Sequence, residues 1–136
     1  MEYNLNDAVG YLINLVAGKF KNKIYQILTP YDITPEQWLI LTRLWQGDGK
    51  TQRQLAEETC KDEPNIARIL SKIECKGFIE RKPDAVDRRR TFVFITDRGI
   101  QLYEQLFPLV KEYQKRMLEN FSADEILTLK ILLRKF

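Results

Sequence analysis

For most of its length this chain places an apolar residue every three or four positions, the period of an α-helix with one buried face. From Leu5 to Leu28 the stripe is Ala8, Leu12, Val16, Phe20, Ile24 and Ile27, with Ile13, Leu15 and Leu28 beside it. Asn6 is placed to cap this helix, and Pro30 lies just past its end. The stretch TPEQW opens a second helix. Thr34 is its N-cap, Pro35 its first residue and Gln37 the partner in a capping box. Trp38, Leu41, Leu44 and Trp45 form its inward face, and GDGK at 47–50 ends it.

A shorter helix follows Thr51, with Leu55 and Ala56 turned inward. The next begins at Asp62, a good N-cap, and tolerates Pro64 in its first turn, where the missing N–H has no internal partner anyway. Ile66, Ile69, Leu70 and Ile73 are its stripe, and Gly77 sits where a helix ends on a left-handed residue. Two short helices joined by a tight turn make a helix-turn-helix. The pattern then changes. FIERK and TFVFIT read as two strands of a hairpin, a wing, with DAVDRRR at 84–90 as its tip.

After Thr96 a long helix carries Ile100, Tyr103, Leu106, Val110, Tyr113 and Met117 on one face. Pro108 lies inside it and predicts a kink or a break. Ser122 and Glu125 cap the last helix, whose face is Ile126, Leu129, Leu133 and Phe136, widened by Leu127, Ile131 and Leu132. A helix this apolar needs a partner surface.

Composition narrows the chemistry. The 136 residues fit one domain, 44% of them hydrophobic. There is no histidine, which removes the commonest zinc ligand and the usual general base. Glu57 and Glu58 are adjacent and point to different sides of a helix, so they make no catalytic pair. No enzyme, metal site or cofactor is expected. No apolar run approaches a membrane span, and the N-terminus does not read as a signal peptide, so the expected location is cytoplasmic.

Net charge is only +3, but it is not spread evenly. Residues 61–90 hold nine Lys and Arg against six Asp and Glu, while the remainder holds thirteen of each. A local basic excess on a helix-turn-helix and wing is the electrostatic footprint of a phosphate-binding surface. Three arginines at one hairpin tip repel one another unless something negative lies opposite.

The order of elements resembles the MarR family of bacterial transcription regulators. DITPEQWLIL, TQRQLAEET and above all IECKGFIERKPDAVDRRRTFVFITDRG carry the resemblance, which runs from about Asp32 to Gly99. Two residues depart from the pattern: Cys60, where a small residue such as Gly is frequent, and Pro64, early in the recognition helix. The resemblance implies a mainly α fold with a small β-hairpin wing. A winged helix-turn-helix lobe at 32–99 is flanked by dimerisation helices at 1–29 and 100–136, in a single domain over 1–136. It implies a homodimer that binds double-stranded DNA at a near-palindromic operator, acting as a repressor that responds to a small aromatic or acidic effector.

Each role can be placed on a residue. In such proteins the wing tip approaches the minor groove, and Asp87 and Arg89 occupy the positions of the family's Asp-x-Arg pair. A narrow minor groove concentrates negative potential and attracts arginine, and a carboxylate two residues earlier can fix the guanidinium. Arg88 and Arg90 are expected to face flanking phosphates. On the recognition helix Glu63, Asn65, Ala67, Arg68, Ser71 and Lys72 lie away from the apolar stripe. Asn65 and Arg68 suit adenine and guanine edges, Lys72 suits phosphate, and Glu63 suits either cytosine or the helix N-terminus. Arg53 and Gln54 are placed for backbone phosphates. Leu5, Leu12, Leu129, Leu133 and Phe136 are expected at the dimer interface, and Tyr11, Phe20, Trp38 and Trp45 around an effector.

Two other readings remain open at this stage. One is a winged-helix protein-interaction module without DNA, which predicts neither the charge excess nor the paired wing tip. The other is redox sensing through Cys60, which lies beside Lys61 and near the recognition helix's N-terminus, electropositive surroundings that suit a reactive thiol. The plainer expectation for Cys60 is a small buried residue.

Overall fold

The computed structural model describes residues 3–136. A short 3-10 turn, Leu5–Asp7, precedes α1, Val9–Leu28. Asn4, not Asn6, supplies the first cap: its Oδ1 accepts the Asn6 N–H at 3.1 Å. The extended backbone at Ala8 separates turn from helix, so α1 itself starts without a side-chain cap. Then come α2, Pro35–Gln46, α3, Gln52–Glu58, and α4, Glu63–Cys75. The Thr34, Thr51 and Ser122 capping boxes all form, and Asp62 caps α4.

The wing is a hairpin of β2, Ile79–Pro83, and β3, Thr91–Ile95, in antiparallel register from Ile79 opposite Ile95 to Pro83 opposite Thr91. A third strand, β1, Lys50–Thr51, pairs with β3 on its other side. At two residues it has no periodicity to read. Gly49, at φ +70°, turns the chain into it, and Asp48 Oδ1 accepts the Ile95 N–H at 2.9 Å.

Helix α5 runs unbroken from Asp97 to Met117 through Pro108. Leu106 and Val110, on either side of the proline, are both buried and hold the helix across it. Its first turn lies hard against the start of the wing. A Cβ on Gly99 would meet the Phe78 carbonyl oxygen at 2.2 Å, so only glycine fits there. One core spans the chain, from Leu28 through Leu41, Leu55, Leu70 and Val93 to Tyr103 and Val110. A boundary at residue 99 therefore falls inside α5, whose N-terminal half belongs to that core.

Helix α6, Ala123–Leu133, has no fully buried residue, and only Ile126 on it is half-buried. Leu129, Leu133 and Phe136 are exposed, as are Leu5 and Leu12 at the other end of the sequence. On α1 only Leu28 is buried. Among the described residues no helix is long and apolar enough to cross a membrane.

Three helical segments end in the same way, with a left-handed residue and paired backbone bonds back into the last turn. These residues are Asp32 (φ 55°), Cys60 (φ 54°) and Gly77 (φ 81°). At Cys60 the Lys61 N–H reaches the Ala56 carbonyl at 3.0 Å, and Cys60's own N–H reaches Glu57 at 3.3 Å. Cys60 is exposed, contrary to a buried role, and its left-handed backbone is one that glycine adopts without cost. Left-handed backbone costs an L-residue about 1–2 kcal/mol. Cys60→Gly is therefore expected to raise stability by up to about 1 kcal/mol and the melting temperature by a few degrees. A thermal melt that falls instead would show that the Cys60 side chain contributes something its exposure hides.

Candidate nucleic-acid interface

Helix α4 is fixed in direction by its buried stripe, Ile66, Ile69, Leu70 and Ile73, and by Asp62, whose Oδ1 accepts the Asn65 N–H at 2.7 Å. That burial leaves Glu63, Arg68 and Lys72 exposed, with Asn65 and Ala67 half-buried. Arg68 donates to Asn65 Oδ1 at 2.8 Å, so the two base-reading candidates already form one unit. On α3, Arg53 pairs with Glu57 at 3.3 Å at the surface, and the side-chain oxygen of Gln54 closes the α3 capping box.

Ser71 does not face outward as its helical position suggests. Its hydroxyl donates to the Ala67 carbonyl at 2.9 Å and accepts from Arg81 at 3.0 Å. Arg81, on β2, is the residue that reading the sequence for contacts missed. Its guanidinium also meets Glu74 at 3.0 Å and Gln52 at 3.4 Å. Its backbone N–H donates to the other Glu74 oxygen at 3.0 Å. Hydrogen bonding to Arg81 holds the Glu74 carboxyl below the usual carboxylate range. One side chain thus ties the wing to both helices of the helix-turn-helix. The signal was available: Arg81 lies two residues from buried Ile79, hence on the inward face of its strand, where a cation requires partners.

At the wing tip the loop closes through the Asp84 N–H to the Arg90 carbonyl at 2.9 Å. Asp87 then holds Arg89 through three contacts. Its Oδ1 accepts the Arg89 backbone N–H at 3.0 Å and the Nε at 3.1 Å, and Oδ2 faces the guanidinium at 3.5 Å. These hydrogen bonds lower the Asp87 pKa. The Arg89 side chain is 91% exposed all the same, projecting beyond the carboxylate that orients it. Arg90 lies over the Phe92 ring at 5.4 Å, and Arg88 is exposed.

Two clefts gather these groups. One, of about 760 Å³ between α3 and the wing, is lined by Arg53, Gln54, Glu63, Asp87, Arg89 and Arg90 among others. The other, of about 230 Å³ between the start of α2 and α4, holds Asn65, Arg68 and Lys72 together with Lys61, which had not been singled out. The geometry presents cations along a wing and a helix with carboxylates set between them.

Comparison with known proteins assigns this arrangement. The family model described as "MarR family" matches residues 33–91. The multiple antibiotic resistance protein MarR of Escherichia coli K12 is 32% identical over 128 residues, covering 93% of this chain and 89% of that protein. The chain belongs to the MarR family. Members of this family are DNA-binding transcription regulators, and the fold is theirs. The crystal structure of a mutant E. coli MarR complexed with operator DNA superposes with a TM-score of 0.89 at 30% identity, covering 98% of each chain. The S. aureus MepR–DNA complex gives 0.85 at 31% identity, covering 94% of this chain and 93% of that one.

This MarR-family member does not assemble the four residues expected around an effector. Trp38 stacks on Tyr103 at 4.7 Å and Trp45 stacks on the same ring at 5.0 Å, extending the core aromatics. Phe20 meets Tyr113 edge-on at 6.3 Å, and Tyr11 is exposed on α1. Large rings at helical spacing pack against other rings before they line a cavity.

Proposed function

We propose that the protein is a ligand-responsive repressor that binds a near-palindromic operator as a homodimer. The observation carrying the DNA reading is Arg89, held by Asp87 yet exposed, beside a recognition helix that presents Asn65 and Arg68. An arginine pre-oriented by a carboxylate loses less entropy on docking into a minor groove. The operator-bound MarR and MepR structures of like fold support the same reading. A homodimer accounts for the exposed apolar residues of α1, such as Leu12 and Val16, and of α6, such as Leu129 and Leu133. Two-fold symmetry then places recognition helices about 34 Å apart, one turn of DNA, on a palindrome.

The effector reading moves away from the tryptophans. An open cleft of about 710 Å³ between α1 and α5 is lined by Lys23, Tyr31, Tyr113 and Arg116 among others, a mixture that suits an aromatic acid. Screening aromatic acids for a rise in melting temperature tests it, since a ligand of the folded state stabilises by mass action.

The DNA reading is tested on the recognition helix. Arg68→Ala is expected to weaken specific binding by about 1–3 kcal/mol and to relax preference at one base position. Lys72→Ala is expected to weaken all sequences alike and to flatten the salt dependence by about one unit. Binding titrations at several salt concentrations separate the two, and identical behaviour would place the wrong face of α4 on DNA. A protein-interaction module would show no steep salt dependence with DNA at all.

A further inference from the structure

We propose that Lys76 is a positioning residue that joins the dimerisation helix α1 to the recognition helix α4 and so sets how α4 is presented to DNA. This rests on the DNA-binding reading above. Lys76 is the C-cap of α4, the end remote from Asn65 and Arg68. Its ammonium donates two hydrogen bonds and makes one ion pair. It donates to the Asp32 backbone carbonyl and to Gln37 Oε1, the latter at 3.1 Å, and it faces the Asp32 carboxylate at 3.5 Å.

Those acceptors belong to two other elements. Asp32 is the left-handed residue that ends the 3-10 turn Thr29–Tyr31, which continues directly from α1. Its N–H reaches the Thr29 carbonyl at 3.0 Å, so it moves with that turn. Gln37 is 3% exposed, and its Oε1 also accepts the Thr34 N–H at 3.2 Å in the α2 capping box. The end of α1, the start of α2 and the end of α4 therefore meet at one nitrogen, across 39 to 44 residues of sequence.

The location distinguishes Lys76 from the cations around it. Lys72, one turn earlier, is exposed and free to meet phosphate, whereas the Lys76 side chain is 24% exposed and its charge is taken up by Asp32 and Gln37. A cation at a helix C-terminus also interacts favourably with the last carbonyls, which anchors the tie at its α4 end. On α1 only Leu28 is fully buried; Ile24 and Ile27 pack against the core from the same end, and Lys21 pairs with Glu36 of α2 at the surface. Displacement of α1, by a partner chain or by a molecule beside Tyr31 in the α1–α5 cleft, would pull on α4 through Asp32 and Lys76.

The test uses the full-length chain. A duplex selected from a random pool by the wild-type protein is compared with a scrambled duplex of equal length. Lys76→Met is expected to lose on the order of tenfold affinity for the selected duplex, with the scrambled duplex and the salt slope unchanged. Lys76→Arg, which keeps the charge and the donors, should restore most of the loss. Asp32→Asn keeps the backbone acceptor and tolerates the left-handed conformation, so it should lose less, and Lys76→Met should add little further loss when combined with it. Equal weakening of both duplexes with a flatter salt slope would make Lys76 a phosphate contact and overturn the proposal, as would an unchanged Lys76→Met. Hydrogen exchange at Thr29–Ile33 in the DNA-free protein provides a second readout. Lys76→Met should accelerate it, and unchanged exchange would refute the tie. If the wild type binds no DNA, the regulator reading fails, while the exchange result still decides whether the tie exists.

Discussion

Arg89→Ala is expected to cost roughly five- to 150-fold in affinity for DNA, far more than Arg88→Ala or Arg90→Ala. The three arginines are adjacent in sequence but not equivalent in structure. Arg89 alone is oriented by a carboxylate, through its own backbone N–H as well as its guanidinium. Arg90 rests on Phe92, and Arg88 must be ordered at the moment of binding. Asp87→Ala should reproduce part of the Arg89→Ala loss while leaving the arginine in place. Because hydrogen bonding to Arg89 lowers the Asp87 pKa, the clamp should persist as pH falls below neutrality. It is lost only as pH drops through that lowered value, where the carboxyl takes up a proton. Fluorescence anisotropy with one duplex, over the wild type and the four variants at two pH values, measures all of this. Similar small losses for all three arginines would mean a solvated turn that happens to be basic.

Deleting residues from Ile126 onward is expected to abolish the dimer and, with it, specific DNA binding. No residue of α6 is buried against its own chain, so the deletion removes almost nothing that one folded lobe needs. What it removes is Leu129, Leu133 and Phe136, exposed apolar surface that the proposed dimer would cover. Losing one of two linked half-site contacts costs avidity on the order of 10²–10⁴-fold. Leu129→Glu, in a chain of full length, should act in the same direction by placing a charge in that seam. Sedimentation velocity gives the oligomeric state, and titration with a palindromic duplex gives the affinity. A truncated protein that remained a dimer with unchanged affinity would remove α6 from the interface.

Where the sequence was legible, a local physical rule was at work. Thr34, Thr51, Asp62 and Ser122 begin helices because their side chains meet backbone N–H groups two or three residues on, and that geometry is visible in four letters. Gly77 ends a helix for an equally local reason. The wing tip was legible because Asp87 and Arg89 are two residues apart. Residues whose partners are distant in sequence were misread. Ser71 reads as an outward helix residue until Arg81 arrives from the strand. Trp38 and Trp45 are expected around an effector, and the stacking of both on Tyr103, from α5, is invisible in the sequence. Nothing local to Lys76 marks it as the meeting point of Asp32 and Gln37, 44 and 39 residues away. β1 was illegible for another reason: two residues cannot display an alternation.

The uncovered state of α6 also bears on how much of this protein a cell must hold. A helix of eleven residues is marginal in water on its own, so in the homodimer proposed above its burial is a second-order event that needs another copy. Newly made chains at low abundance would then carry a competent reading head without the means to place two of them. Occupancy of an operator would rise with the square of protein number in that regime rather than in proportion to it. A promoter under such control responds to a modest fall in regulator supply, as when a dividing cell dilutes it, with a disproportionate release.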